Sequence, residues 1–289
     1  MPFFKLINMR NETRAETILR SITREYRNKI YSKFLAAIDK YKLINNKDKI
    51  CVCISGGKDS MLLAECFRLF HASSKIKFDV VYLVMNPGYN DVNLKLIKHN
   101  IDTLNIDAEV VNTDIFEISN LRSADSPCYL CARMRRGALY RLAQDRGCNK
   151  IALGHHYDDV IETTLMNMLY SGSIQTMLPK LHSDNFKNMQ LIRPLYFVRE
   201  DDIISWAKNN KLQFLNCACK FTLENSIDSK NVSSRRLFTK KLIKDLSKDY
   251  DVDKNIFSAT NNVILDKVLS YKKSGKIHSF LDNYDKVKN

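Results

Sequence analysis

Short apolar segments of strand length alternate with longer segments of helical periodicity, and this alternation is the strongest constraint on the fold. Residues 49–54 read as a strand, followed by a glycine turn and a helical pattern that runs to residue 70. The same order repeats with strands at 78–85, 108–112 and 150–153 and helices at 91–105, 131–146 and 157–170. Such repetition predicts crossover units, and therefore an α/β domain with a doubly wound parallel sheet, over residues 45–219.

The two ends of the chain read as helical additions. In the basic N-terminal segment, residues 1–44, apolar side chains recur every four positions and predict one helix over about residues 11–41: Ile18, Ile22, Tyr26, Ile30, Phe34 and Ile38. Its charged face fits either a solvated surface or a nucleic-acid contact. Residues 220–289 are rich in Lys and Asp, with helical patterns around 237–246 and 262–271, and predict a helical C-terminal appendage.

Composition narrows the class of protein. No run approaches the roughly 18–20 apolar residues of a membrane span, and the N-terminus lacks the apolar core of a signal peptide, so we expect a cytoplasmic protein without a membrane partner. In that compartment the eight cysteines favour burial, metal binding or catalysis over disulfides. A formal net charge of +14 is compatible with a polyanionic partner.

A glycine-containing segment follows the first predicted strand and opens a helix. It consists of Ser55, Gly56, Gly57, Lys58, Asp59 and Ser60. Glycines allow a tight turn, backbone N–H groups and the helix N-terminus attract anions, and the lysine adds a cation. Asp59 would hold Mg²⁺ or cap the helix. The spacing is not that of a Walker loop, and a flexible turn is the alternative, but the strand before it and the helix after it favour phosphate binding.

A second polar segment follows the predicted strand at 150–153. Gly154 precedes His155, His156, Asp158 and Asp159, and a helix begins there. Imidazoles and carboxylates at this position supply either metal ligands or polar contacts to a nucleotide. The alternative is structural, because acidic side chains are also favoured at a helix N-cap and first turn.

The cysteines fall into two groups. Cys128 and Cys131 form a CxxC pair, and Cys217 and Cys219 come 86 residues after Cys131, so three or four thiolates fit zinc or an iron–sulfur cluster equally well. A redox CxxC is a further alternative. Four cysteines inside strand or helix patterns are expected to serve in packing: Cys51, Cys53, Cys66 and Cys148.

The glycine-containing segment resembles the signature of the PP-loop ATP pyrophosphatases, which share an adenine nucleotide alpha hydrolase-like fold. Residues 128–140, 150–159, 192–195 and 199–200 are similar in type, order and spacing to the tRNA 2-thiocytidine synthetase family. The resemblance implies a [4Fe–4S] cluster on Cys128, Cys131 and Cys217. This sequence departs from the family at its second pair, where Cys217 and Cys219 are separated by one residue, so Cys219 remains an alternative ligand.

The resemblance also implies an activity, in which ATP adenylates the C2 oxygen of a cytidine, cytidine 32 of the tRNA anticodon loop, and sulfur delivered through the cluster replaces that oxygen. Lys58, Asp59 and the three cluster cysteines would be catalytic. Asp59 and Asp159 would hold Mg²⁺. The implied ATP ligands are Ser55, Gly56, Gly57, Lys58, Asp59, Ser60, Gly154, His155 and Asp159. Implied partners are tRNA, a cysteine desulfurase or another sulfur donor, and a second copy of the chain in a homodimer.

Arginines surround the CxxC pair and are candidates for RNA contact: Arg122, Arg133, Arg135, Arg136 and Arg141. Helical spacing puts Arg133 and Arg136 on one face with Tyr140, whereas Arg135 points elsewhere. Pairing with acidic neighbours is the alternative. Two other functions stay open: another PP-loop tRNA-modifying enzyme, such as a 2-thiouridine synthetase or a lysidine-type ligase, and a zinc-stabilised RNA-binding protein.

Overall fold

The fold is described here from a computed structural model, which describes residues 12–122, 127–215 and 228–284. Within these ranges the side chains of residues 119–122, 127–129, 228–234 and 283 are not described. The chain divides into two compact units, the first made of Met1–Val160 and Met177–Leu237, the second of Ile161–Thr176 and Phe238–Asn289. The predicted domain boundaries at residues 44 and 219 remain a prediction.

A six-stranded sheet forms the centre of the first unit and confirms the predicted α/β class. Its strands are β1 (Lys49–Ile54), β2 (Asp79–Asn86), β3 (Ala108–Asn112), β4 (Lys150–Ala152), β5 (Lys180–His182) and β6 (Gln190–Ile192). The spatial order is β3-β2-β1-β4-β6-β5, and every neighbouring pair is parallel except β5 with β6. The expectation of a purely parallel sheet is therefore corrected at one edge, where an antiparallel strand closes the sheet.

Strand β1 lies at the centre of the sheet, between β2 and β4. Five of its six residues are buried, as expected for a parallel strand with both faces covered. The chain winds from β1 towards β3 on one side and continues from β4 to β6 on the other, so the topological switch lies between β1 and β4. Val52 pairs with Ala152, which brings the carboxyl ends of these two strands side by side. Ligands of such sheets bind at this position.

Ten α-helices lie in the described part of the chain: α1 (Arg14–Thr23), α2 (Ser32–Tyr41), α3 (Lys58–Ser73), α4 (Asp91–Leu104), α5 (Ile115–Arg122), α6 (Pro127–Asp145), α7 (Tyr157–Ser171), α8 (Glu200–Asn209), α9 (Asp228–Leu246) and α10 (Val252–Ala259). The single N-terminal helix predicted over residues 11–41 is wrong. Arg24 leaves helical geometry with ψ of −90°, and a π-helical turn, Arg27–Tyr31, separates α1 from α2.

The apolar spacing of the N-terminal segment nevertheless identifies its buried face. All six residues of the predicted stripe are buried. Tyr26 lies at the break between the helices, where its hydroxyl is 3.0 Å from Ser205 Oγ and accepts a hydrogen bond from Asn209 Nδ2 at 2.6 Å. The interruption thus lets one stripe residue bond to α8 while the others stay in the core.

The C-terminal part of the second unit is only partly helical. Helix α10 is followed by a hairpin of β7 (Ser270–Lys273) and β8 (Lys276–Ser279), so the helix predicted over residues 262–271 is wrong. Ser274 and Gly275 both have positive φ, 50° and 79°, which is typical of a two-residue hairpin turn and incompatible with a continuing helix. Among the residues that the structure describes, no helix is long and apolar enough to cross a membrane.

Candidate active site

The predicted phosphate loop lies at the carboxyl end of β1, next to β4. Gly56 has a φ of +86°, and a Cβ there would lie 2.6 Å from Ile97 Cγ1, so this position requires glycine. The Ser60 hydroxyl closes the loop, because it accepts from Ser55 N at 3.1 Å and donates to Gly57 O at 2.9 Å. Gly57 is the N-cap of α3 and has no side chain to block the first-turn N–H groups. The loop therefore presents backbone donors, as an anion site requires.

One segment beside this loop differs from the expectation. The apolar pattern at residues 212–215, after α8, predicts a strand, but these residues form neither a helix nor a strand in the structure. Leu215 N donates to Gly56 O at 3.3 Å, and this contact lays the segment along the phosphate loop. The described chain stops at residue 215, so Cys217 and Cys219 lie outside it.

Two carboxylates hold the lysine of the loop. Lys58 Nζ lies 3.3 Å from Asp59 Oδ2 and 3.1 Å from Glu200 Oε1 at the start of α8. Burial opposes the charge of the ammonium group, but Asp59 and Glu200 raise the pKa of Lys58 above its usual value. The side chain is therefore a fixed cation at the loop. The sequence alone gives Glu200 no role, although Arg199 and Glu200 are among the motifs of the resemblance.

Asp59 has one oxygen without a hydrogen bond. Its Oδ1 is buried and accepts none from the described residues, although Lys58 Nζ lies 3.3 Å away. Burial raises the pKa of the carboxyl above its usual value. His156 Nε2 lies 3.8 Å from Asp59 Oδ1 and 3.5 Å from Asp159 Oδ2, so both predicted Mg²⁺ ligands flank one imidazole nitrogen. Two carboxylates suit Mg²⁺, which usually takes its remaining ligands from phosphates and water. In the described part of the chain, no group of three or more His, Cys, Asp or Glu side chains is arranged to hold a metal ion.

The histidine–aspartate segment packs directly on the phosphate loop. A Cβ at Gly154 would lie 2.9 Å from the carbonyl carbon of Asp59 and 3.0 Å from Ser60 N, so glycine allows this contact. Asp159 accepts a hydrogen bond from His156 N at 3.0 Å, which is the capping role considered for it, and it also pairs with Arg236 at 3.1 Å. Burial would raise the pKa of Asp159, but His156, His155 and Arg236 lower it below its usual value.

Asp158 has a positioning role. Its Oδ2 accepts a hydrogen bond from Glu200 N at 2.7 Å, and its Oδ1 lies 3.1 Å from Arg199 Nη2. These contacts fix the start of α8 and with it the carboxylate of Glu200 that holds Lys58. The second aspartate of the segment therefore supports the loop from across the fold.

His155 is neutral in this structure. Burial lowers its pKa to about 4, and Arg193 Nε donates to His155 Nδ1 at 3.3 Å. A guanidinium has no acceptor, so Nδ1 must be the unprotonated nitrogen and Nε2 must carry the hydrogen. Arg193 is itself buried and also donates to Leu178 O. Arg193 belongs to one of the motifs of the resemblance, but the sequence does not predict this contact with His155.

A cavity of about 440 Å³ brings the predicted ATP ligands together with α6. It is lined by Ser55, Asp59, Ser60, Gly154, His155 and Asp159, and on the other side by Arg135 and Arg136. A second cavity of about 790 Å³ is also lined by Ser55, Asp59 and Arg135, and reaches Lys58 and Glu200. The phosphate loop thus lies between two adjoining cavities, which together are large enough for a nucleoside triphosphate and a second substrate.

Helix α6 carries the CxxC pair beside the first cavity. Cys128 and Cys131 both belong to this helix, three residues apart and therefore on one face. Cys131 is half-buried, and its neighbour Ala132 lines the cavity. The side chain of Cys128 is outside the description, so the cluster assignment, Cys217 included, remains a prediction. The four cysteines assigned to packing are all buried, as expected.

The arginines of α6 follow the predicted helical spacing in part. Arg133, Arg136 and Tyr140 line a common cavity of about 570 Å³. Arg135 lines both cavities at the phosphate loop, and Arg136 also lines the first of these. Arg141 is exposed, and the side chain of Arg122 is outside the described residues. Two different surfaces of one helix therefore present cations to neighbouring cavities.

The strand order, the glycine loop at the switch point and the histidine–aspartate segment packed on it define a PP-loop domain, and the PP-loop domain family matches residues 23–219. The tRNA-cytidine(32) 2-sulfurtransferase of Coxiella burnetii (strain RSA 493 / Nine Mile phase I) is 37% identical over 234 residues, covering 78% of this chain and 86% of that protein. The protein of the same name from Aeromonas salmonicida is 35% identical, covering 82% and 76%. The chain belongs to the tRNA-cytidine(32) 2-sulfurtransferase family of PP-loop enzymes.

A solved structure supports the fold independently. The U34-tRNA thiolase NcsA from Methanococcus maripaludis, solved with its [4Fe–4S] cluster, superposes with a TM-score of 0.61 at 19% sequence identity. The similarity covers 81% of this chain and 79% of that one. At this level of identity the likeness concerns the fold.

Proposed function

We propose that the protein thiolates tRNA, converting cytidine 32 of the anticodon loop to 2-thiocytidine in an ATP-dependent reaction. The names of its relatives support tRNA as the substrate class. One observation carries the chemical proposal: the phosphate loop, His155 and Asp159 line the same cavity as Arg135 and Arg136 of the CxxC helix. Residues that would bind a nucleotide therefore share one cavity with arginines of the helix that would meet an RNA base and a sulfur donor.

Adenylation is the step that this cavity is equipped to assist. The C2 oxygen of cytidine is a poor leaving group, and attack of that oxygen on the α-phosphate of ATP forms an adenylate and releases pyrophosphate. The N–H groups of the phosphate loop and the fixed charge of Lys58 would stabilise the negative charge that develops on pyrophosphate. Asp59 and Asp159 would hold Mg²⁺, since Asp59 Oδ1 is a buried oxygen that accepts no hydrogen bond from the described residues.

Sulfur transfer requires the cysteines. A [4Fe–4S] cluster on Cys128, Cys131 and Cys217 would supply the sulfur that replaces the adenylated oxygen, with release of AMP. Thiolates are the ligands that such a cluster takes, and placing Cys128 and Cys131 on one helix face suits a shared metal centre. A cysteine desulfurase or another donor would provide the sulfur.

The proposal is tested with the full chain, purified without oxygen and supplied with tRNA, ATP, Mg²⁺, a reductant and sulfide. Mass spectrometry of nucleosides should detect 2-thiocytidine, with AMP formed in equal amount. Lys58→Ala should abolish both products, whereas Lys98→Ala, an exposed lysine on α4, should retain them. Cys131→Ala should abolish thiolation, and buried Cys66→Ala is the matched control.

The outcomes separate the alternatives. AMP formation that persists undiminished in Cys131→Ala together with a lysine-modified base would identify a lysidine-type ligase, and thiolated uridine would identify a 2-thiouridine synthetase. Bound zinc without iron and without ATP turnover would favour an RNA-binding protein. Any of these results would overturn the proposal.

A further inference from the structure

A cavity of about 570 Å³ with arginines in its lining adjoins the proposed reaction cavity. Helix α6 contributes Arg133, Arg136 and Tyr140, and the segment after β5 contributes Ser183 and Asn185. Its size lies within the range of roughly 300–1,000 Å³ that small-molecule sites occupy. Arg136 and its helix neighbour Ala132 line both this cavity and the reaction cavity, so the two spaces meet at α6.

Arg133 and Arg136 have no carboxylate partner among the residues that the structure describes. Within the described residues neither Arg133 nor Arg136 lies within ion-pair distance of a carboxylate, although Asp184 also lines the cavity. Other arginines of the same unit are paired, for example Arg68 with Glu65 at 2.8 Å. Two exposed guanidinium groups left without a counter-charge indicate a site for an anion supplied by a partner.

The surroundings of Arg136 strengthen this interpretation. Burial is the main cause that lowers the pKa of Arg193 to about 10, and the nearby charge of Arg136 contributes to that lowering. Two guanidinium groups thus repel one another across this region, and an anion between the cavities would relieve that repulsion. At the inner wall Tyr140 and Phe186 stack with ring centroids 5.0 Å apart, which gives the cavity an apolar wall beside its cationic rim.

We propose that this cavity holds the nucleotide next to the target cytidine, with its phosphodiester bound by Arg133 and Arg136. The inference rests on the proposed function, because it assumes an RNA substrate. A base that enters the reaction cavity must leave its stack, and its neighbours stay attached through one phosphodiester on each side. The adjoining cavity meets the reaction cavity at Ala132 and Arg136, and guanidinium groups are the preferred partners of phosphate.

The test uses the full chain and a fluorescent anticodon stem–loop, with affinity measured by anisotropy over a series of salt concentrations. Arg133→Ala and Arg136→Ala should each weaken binding by about tenfold and lower the slope of log affinity against log salt by about one. Lys98→Ala, which removes an equal charge from α4, should change affinity less than twofold. Each variant replaces an exposed side chain, and circular dichroism checks that it is folded.

A neutral methylphosphonate, placed in turn at each phosphate beside the target cytidine, locates the contact. At one of the two positions the methylphosphonate should weaken binding to the wild-type protein about tenfold, as the arginine variants do, and should weaken binding to Arg136→Ala little further. If the losses of affinity from the methylphosphonate and from Arg136→Ala multiply at both positions, the subsite is refuted. It is also refuted if the arginine variants bind as tightly as Lys98→Ala. The unmodified stem–loop is assayed for 2-thiocytidine in parallel. If the methylphosphonate and Arg136→Ala affect the same contact but no 2-thiocytidine forms, only the proposed function is refuted. If 2-thiocytidine forms but the two changes act independently on affinity, only the subsite is refuted.

Discussion

Replacing Gly154 by alanine should damage both the fold and the nucleotide site. The added Cβ would lie 2.9 Å from the carbonyl carbon of Asp59 and 3.0 Å from Ser60 N. Ordinary contacts between such atoms are about 3.5–4.0 Å, so one of two backbones must move by roughly half an ångström or more. Both are held in place, since the loop is closed by Ser60 and residue 154 follows a central strand. Overpacking of this kind costs about 1–3 kcal/mol.

The functional loss should exceed what stability alone explains. The displacement separates the phosphate loop from His155, which lines the same cavity. Misplacement of reacting groups by about 1 Å lowers rates by about 10²-fold. We therefore expect Gly154→Ala to unfold at lower urea concentration, to bind ATP more weakly, and to form AMP about 10²-fold more slowly under conditions where it is fully folded.

Gly137→Ala is the matched control. This glycine lies within α6, and a Cβ there would meet nothing within 4 Å. Alanine should stabilise the helix by about 0.5–1 kcal/mol and leave the affinity for ATP unchanged. The measurements are urea unfolding followed by circular dichroism, calorimetric titration with ATP, and AMP release with saturating tRNA. A Gly154→Ala variant with wild-type stability and ATP affinity would refute the packing argument.

Three further predictions concern buried charges. Lys150 Nζ lies 2.6 Å from Asp48 Oδ2, and both side chains are buried. Because Lys150→Met leaves a buried carboxylate without its cation, it should lower the free energy of unfolding by about 3–5 kcal/mol, and adding Asp48→Asn should recover part of that loss. A single and a double variant of equal stability would contradict this prediction. Burial raises the pKa of Glu65 to about 7. Because the folded protein then binds a proton that the unfolded chain has lost, the free energy of unfolding should fall as the pH rises from about 4.5 to 7. Glu65→Gln should remove up to roughly 3 kcal/mol of this pH dependence, measured by urea unfolding at pH 5 and pH 8. Arg193→Met should release the fixed tautomer of His155, which ¹⁵N shifts of the imidazole report; an unchanged Nε2–H signal would count against Arg193 as its positioning residue.

The sequence predicted the parallel part of the sheet because its strands and helices are long enough for their periods to be read. The regions around β1, β2 and α4 lie within a residue or two of the predicted positions. Strand β5 has only three residues, all exposed, so neither alternation nor an apolar run marks it. The helix over residues 262–271 was predicted because their apolar residues fit helical spacing. The structure instead has a short 3₁₀ helix, Leu265–Lys267, that leads into β7.

The site was predictable where neighbouring residues carry it. The loop at 55–60 and the segment at 154–159 are contiguous, so residue type and position after a strand were sufficient to predict that they meet. Glu200 was missed because it contacts Lys58 across 142 positions of sequence, and no local pattern encodes such a pairing. Arg193 was missed for the same reason, since its contact with His155 depends on β6 lying beside β4.

Charge is balanced at the phosphate loop and unbalanced on α6. Lys58 is held by Asp59 and Glu200, and Asp159 pairs with Arg236, so the loop itself has little excess positive charge among the described residues. Its attraction for phosphate must therefore come from oriented backbone N–H groups and from a cation that enters with the nucleotide. The uncompensated arginines instead lie where α6 borders the reaction cavity and its neighbour. Part of the excess positive charge of this chain, whose formal net charge is +14, thus lies where we propose that RNA binds, whereas nucleotide recognition depends more on the geometry of the loop.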